Sequence, residues 1–197
     1  MESTSDDAPE TRTFTQRGRR AQIVDVTVQL VAEKGYAGIS LSGIAERAGI
    51  TKPAVLYHFR SKAAVVEAAY QEVLQRLVGR VGQAVEEAAA DEGAAAYIRS
   101  MVAYLDENPT HTRMIIEALS NQDTELDTAS RWRPLAELIE AARAARGLDP
   151  DPDARTTAIV VGGGIDGIVA EKLQDPEYDS AAAAEHLIRI LEGAWRA

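Results

Sequence analysis

Residues 40–62, SLSGIAERAGITKPAVLYHFRSK, carry the pattern of two short helices joined by a tight turn. Leu41, Ile44 and Ala45 form one apolar face, and Ala48-Gly49-Ile50 supplies the turn. Thr51 is placed to cap the second helix, its hydroxyl accepting a hydrogen bond from a first-turn amide. Val55, Leu56 and Phe59 recur at helical spacing and are expected to pack back on the first helix. Lys52, Ala54, Tyr57 and His58 are then left facing outward. A small exposed helix bearing a cation, a methyl group, a phenol and an imidazole suits a DNA major groove.

The charge distribution supports the same direction. The chain of 197 residues has a net charge of −10, which taken alone argues against a polyanionic partner. Residues 11–65, however, hold nine Lys and Arg against three acids, a local charge of +6, while residues 66–197 carry −12. A basic module on an acidic body favours docking to phosphate through the basic end only.

A chain of this length buries about 70% of its unfolded surface and needs no staple to hold a core. It contains no cysteine, which excludes a disulfide scaffold, a thiol nucleophile and thiolate metal sites, and fits a reducing cytoplasm. No apolar run approaches the roughly 18 residues of a membrane span. The acidic start, MESTSDDAPE, is expected to be a disordered arm rather than a signal or transit peptide.

Around the opening segment the whole sequence reads as helix. Residues 16–34 place Ile23, Val24, Thr27, Leu30 and Val31 in one stripe that Gly35 ends. Ser61 can cap a long helix from Lys62 to about Ala90, with Val65, Val66, Ala69, Val73, Leu77 and Val81 in period. Further helices are expected at about 94–107, from Pro109 onward, at about 124–146 with Pro134 as a potential kink, near 153–173 and at 180–196. Asn121-Gln122-Asp123 reads as a polar connection, and residues 147–152, GLDPDP, read as a loop. The expected class is all-α with about nine helices: residues 1–14 an acidic arm, 15–64 a helix-turn-helix domain, and 65–197 a helical bundle.

From Arg17 to about Tyr70 the sequence resembles the DNA-binding domain of the tetracycline-repressor-like (TetR) transcription regulators. The residues that carry the resemblance are Ala32-Glu33-Lys34-Gly35-Tyr36, Ser40-Leu41, Ile44-Ala45, Ala48-Gly49-Ile50, Leu56-Tyr57-His58-Phe59 and Ser61-Lys62. Members often have a small residue where this chain has Lys52-Pro53, so an operator sequence is not transferable. Proline is acceptable there, because first-turn amides lack helical partners.

The resemblance implies a cytoplasmic, nucleoid-associated homodimeric repressor that binds double-stranded DNA at a palindromic operator and responds to a small-molecule effector. It implies no cofactor, metal or membrane partner. It places Ser40, Leu41, Thr51, Lys52, Pro53, Ala54, Tyr57, His58 and Lys62 at the DNA. Tyr97, Met101, Tyr104, Met114, Trp132 and Ile165 would surround an effector, and ordinary core packing is the alternative for each. Ile159, Gly163, Asp166, Gly167, Ala170, Leu187 and Leu191 would lie on or near a four-helix dimer contact. Arg17, Arg19 and Arg20 either reach the DNA ahead of the first helix or form a solubilising run. His111 and Arg113 either serve an anionic effector or lie at a solvated helix end.

Residues 162–167, GGGIDG, match the dinucleotide fingerprint G-x-G-x-x-G after Ala158-Ile159-Val160-Val161. That chemistry needs a strand-helix-strand unit and a later acid, whereas a helix, a proline break and another helix follow. Small residues for close helix approach are the preferred reading. The three histidines, His58, His111 and His186, lie in no nucleophile or H-E-x-x-H motif, and no P-loop is present, so an enzyme is not expected. Within regulation the alternative is an activator or a ligand-independent binder. Outside it, the alternative is a helical interaction module without specific DNA binding.

Overall fold

The computed structural model describes residues 8–120 and 129–195. They form nine helices and no strand among the described residues: α1 (Ala8–Gly38), α2 (Leu41–Arg47), α3 (Lys52–His58), α4 (Lys62–Glu86), α5 (Gly93–Glu107), α6 (Pro109–Ser120), α7 (Ala129–Ala145), α8 (Ala154–Gln174) and α9 (Ser180–Ala194). The chain divides into two compact units, Met1–Leu74 with Arg113–Asn121, and Gln75–Thr112 with Gln122–Ala197. The first unit runs on through α4 to Leu74 and also takes in most of α6.

The first unit is organised by the stripe of α1. Ile23, Val24, Thr27, Leu30 and Val31 are all buried, and the Thr27 hydroxyl is satisfied by donating to the Ile23 carbonyl at 2.8 Å. They join Ile44 of α2, Val55 of α3, Phe59, Val65 and Val73 of α4, and Met114 of α6 in one core. Helix α1 begins at Ala8 rather than Gln16, so residues 8–14 of the expected acidic arm are helical. Residues 1–7 lie outside the described residues, as do the polar connection at 121–123 and the expected helix start at Thr124.

Gly35 has φ 68 and ψ 169, a left-handed turn that breaks α1 near its end as the sequence pattern indicated. Gly49, at φ 65, closes α2 in a Schellman arrangement: Ile50 N–H donates to the Ala45 carbonyl at 2.9 Å and Gly49 N–H to Glu46 at 3.1 Å. This fixes the turn between α2 and α3.

The second unit packs α5, α7, α8 and α9 around Ile98, Val102, Leu135, Ile139, Ile165 and Ile188. Asp153 and Asp179 cap α8 and α9, accepting from Thr156 N–H at 3.3 Å and Ala182 N–H at 2.8 Å. Helix α8 runs unbroken through residues 162–167, so the G-x-G-x-x-G match has no strand before it and no phosphate-binding turn. Its small residues matter for packing. A Cβ on Gly164 would meet Leu187 Cδ1 of α9 at 2.9 Å, so glycine permits the α8–α9 approach within one chain. Among the described residues no helix is long and apolar enough to cross a membrane.

Candidate nucleic-acid interface

Seven residues make α3, and both its ends are specified locally. Thr51 Oγ1 accepts from Ala54 N–H at 3.3 Å, and Pro53 sits in the first turn where its missing donor costs nothing. Val55 and Phe59 anchor the helix in the core. Lys52 and Pro53 are exposed, Ala54 and His58 are half-buried, and Tyr57 is 72% exposed. One expectation is corrected: Leu56 is 40% exposed rather than core, because Val55 and Phe59 already fill the inward face. Ser40 caps α2 by accepting from Gly43 N–H at 3.1 Å, and Leu41 packs partly against the core, so both lie at the edge of α3 rather than on it.

Helix α1 supports the outward side chains of α3. Gln16 Nε2 donates to the Tyr57 hydroxyl at 3.2 Å, which occupies an acceptor site of the phenol and leaves its O–H to point elsewhere. The Tyr57 and His58 rings meet edge to face at 5.1 Å. The Arg20 guanidinium lies 4.8 Å over the Phe59 ring. Gln22, held by Arg19 at 2.7 Å, donates to the Ala48 carbonyl at 3.1 Å and ties α1 to the α2–α3 turn. Arg19 and Arg20 thus stand beside α3 and the turn before it.

His58 is held below the ordinary histidine pKa, first by partial burial and then by the nearby Arg20 and Arg19 charges. Arg47 is engaged by Glu33 in a two-pronged ion pair at 3.2 and 2.8 Å, which raises the Arg47 pKa and lowers that of Glu33. Its charge is therefore largely answered within the chain. Lys62 is placed differently. Its ammonium sits 4.3 Å over the Tyr36 ring at the start of α4, where Ser61 Oγ accepts from Ala64 N–H at 3.1 Å. Its charge is held without being neutralised.

Gln16, Gln22 and Glu33 were not legible as site residues from sequence. Their partners lie 41, 26 and 14 positions away, and no local pattern marks them.

Residues 23–69 match the family model described as bacterial regulatory proteins, tetR family. Over these residues, from within α1 into α4, the chain is similar to the tetR family. The transcriptional regulator BetI of Burkholderia thailandensis is 34% identical over 85 residues, and the match spans 43% of each chain. The fatty acid metabolism regulator protein of Bacillus subtilis is 24% identical over 190 residues, covering 89% of this chain and 95% of that protein. A crystal structure of FadR from Bacillus subtilis in complex with stearoyl-CoA has the same fold, with a TM-score of 0.69 at 20% identity over 87% of this chain and 96% of that one.

The residues expected around an effector separate in the structure. Tyr97, Met101 and Trp132 are half-buried against the second unit's core, and Ile165 and Tyr104 are buried within that unit. The Tyr104 hydroxyl and His111 Nδ1 share a 2.8 Å hydrogen bond, which gives His111 a partner inside the chain. Trp132 lies beneath the Arg155 and Arg133 guanidinium groups at 5.1 and 5.9 Å. Met114 departs from the expectation: it is fully buried in the first unit's core, because α6 turns that face toward α1 and α4.

The expected dimer residues also divide. Ile159 is 48% exposed, and Gly163, Asp166, Gly167 and Ala170 are exposed along the same helix. Leu187 is half-buried over Gly164. Leu191 is core, in register with Ala184 and Ile188 on the inward face of α9, so it has little surface left for a partner. Val160 and Ile190, at 66% and 57% exposure, also face outward from α8 and α9.

Proposed function

We propose that the protein is a homodimeric transcription repressor that reads a palindromic operator with α3 of each subunit and leaves it when a small molecule binds the second unit. The observation that carries the DNA reading is the display of Tyr57 and His58. The phenol is exposed although Val55 and Phe59, two residues to either side, are buried. Water gives a tyrosine no reason to stand in this way, whereas a groove does.

Thr51, Lys52, Pro53 and Ala54 form the leading end of this surface, and Ser40 and Leu41 its edge. Lys52 meets a guanine edge or a phosphate, Tyr57 and His58 meet backbone or base methyls, and Lys62 meets phosphate. Two such helices reach half-sites roughly 34 Å apart or slightly more. The site of action is the cytoplasmic nucleoid.

The effector is the less constrained half of the proposal. Stearoyl-CoA is the first compound to test, because FadR of Bacillus subtilis, which shares the fold, is solved in complex with it, and the sequence match from that organism is a fatty acid metabolism regulator. Helix α4 is continuous from Lys62 to Glu86 and contributes to both units, which supports it as the element whose shift changes the spacing of the recognition helices. An effector does this only through unequal affinity for the two spacings.

The test is selection from a random duplex pool with wild-type protein and with Tyr57→Ala plus Lys62→Ala. Wild type is expected to enrich a palindrome, which stearoyl-CoA releases, and the double variant to enrich nothing. A palindrome that no effector releases would support a ligand-independent regulator or an activator. Equal retention of the pool by both proteins would instead leave a helical interaction module.

His58 provides a pH test. The phosphates of a bound duplex favour the protonated imidazole that burial and Arg20 and Arg19 disfavour in the free protein. Binding then takes up protons, and affinity for the enriched duplex is expected to rise as pH falls from about 7.5 to about 6. His58→Gln should flatten that dependence. For folding the sign is opposite. With the folded pKa depressed, this group's contribution to stability is present above about pH 6.5 and lost as pH falls through the folded value. An affinity profile unchanged by His58→Gln would place the imidazole away from phosphate.

A further inference from the structure

Tyr36 joins two side chains that are far apart in sequence. The left-handed Gly35 breaks α1 immediately before it, and the Tyr36 N–H donates to Glu117 Oε2 of α6 at 3.0 Å, across 81 positions. The fit around this carboxylate is close. A Cβ on Gly35 would meet the Glu117 carboxylate at 3.2 to 3.4 Å, so the site takes glycine for space as well as for φ. With its backbone held there, Tyr36 presents its ring to Lys62, whose Nζ lies 4.3 Å from the ring centroid.

We propose that Tyr36 and Glu117 are positioning residues for DNA binding, holding the Lys62 ammonium ready for a backbone phosphate. The proposal rests on reading Lys62 as a phosphate contact. Its physical basis is the kind of partner chosen. A carboxylate would hold a lysine but answer its charge, as Glu33 does for Arg47. The face of an aromatic ring attracts an ammonium through its quadrupole, carries no net charge, and competes poorly with a phosphate for N–H donors. A lysine restrained in this way also loses less side-chain freedom when the phosphate arrives. Glu117 acts one step further back. By accepting from the Tyr36 amide it fixes where the ring stands, and α6 thereby contributes to the DNA surface without touching it.

The experiment is a double-mutant cycle of Tyr36→Leu against Lys62→Met, read as affinity for a duplex enriched by the wild-type protein and as the slope of log affinity on log salt. Lys62→Met should weaken binding by about three- to tenfold and reduce the slope by about one. Tyr36→Leu should weaken binding about two- to fivefold in the wild-type background, the size of a partly exposed cation–π contact, and not at all beside Lys62→Met. Tyr36→Phe keeps the ring and should bind as wild type. Glu117→Gln keeps an oxygen acceptor and should do the same, whereas Glu117→Ala should follow Tyr36→Leu.

If Tyr36→Leu cost the same factor in both backgrounds, its effect would be general packing and the positioning role would be overturned. If the Lys62→Met slope equalled that of wild type, Lys62 would not meet phosphate and the proposal would fall with that contact. Absence of any salt-dependent enrichment by wild type would overturn the DNA reading itself, a result distinct from either.

Discussion

On the proposed homodimer, Val160→Glu combined with Ile190→Glu is expected to give a monomer in sedimentation velocity and to weaken binding to the enriched duplex by at least about a hundredfold. The two side chains are 66% and 57% exposed, and Ile159 beside them is 48% exposed. Single exposed apolar residues are ordinary, but large ones exposed on two helices that pack together are what a helical interface would use. On α8 the same side carries Gly163, Gly167 and Ala170, and a Cβ on either glycine would meet nothing within 4 Å in the isolated chain. That space is what a closely approaching helix needs. Across a two-fold axis each substitution appears twice, so four carboxylates would have to be buried without partners.

The loss of DNA affinity follows from valency rather than from any altered contact. A monomer engages one half-site and forfeits the effective concentration that the second subunit provides. Because neither residue contributes to the second unit's core, the variant should melt within about 0.5 kcal/mol of wild type. A variant that stayed dimeric would move the interface away from this face. A monomer that bound as tightly as wild type would remove the palindrome from the mechanism.

How far the sequence revealed this arrangement depended on helix length. Helix α4 offers seven turns, and all six apolar positions read from its period, from Val65 to Val81, are buried. The five-residue stripe of α1 is equally sound. Helix α3 has only seven residues, about two turns, and at that length the period does not separate an inward neighbour from an outward one. The spacing therefore groups Leu56 with Val55 and Phe59. The same limit applied where the question was which partner a buried face meets. Met114 and Leu191 are legible as large apolar groups, and in the structure each is buried in its own unit's core. The contacts of Gln16 with Tyr57 and of Glu117 with Tyr36 left no trace in spacing, since hydrogen bonds between distant polar side chains impose no periodicity.

The distinction between Ile44 and Leu56 can be measured directly. Ile44→Ala is expected to destabilise the first unit by about 2–4 kcal/mol, whereas Leu56→Ala should change its stability by less than about 0.5 kcal/mol. Ile44 is 0% exposed and anchors α2 against α1 and α3, so truncation removes buried methyl groups and leaves a cavity that a close-packed core closes only in part. A loss of that size is a large share of the roughly 5–15 kcal/mol that holds a small domain folded. Leu56, at 40% exposure, gives up little burial on truncation. Because it stands beside Tyr57 on the displayed face, its cost should appear in DNA affinity instead, through lost contact with groove methyl groups. Urea denaturation read by hydrogen exchange at amides of α1 to α3 separates the two units and gives both numbers. Equal destabilisation by the two substitutions would mean that Leu56 is core in solution and that the outward face of α3 is narrower than described. A stable Leu56→Ala with weakened duplex binding would extend the reading surface by one residue, on the side of α3 that the sequence pattern had assigned to the interior.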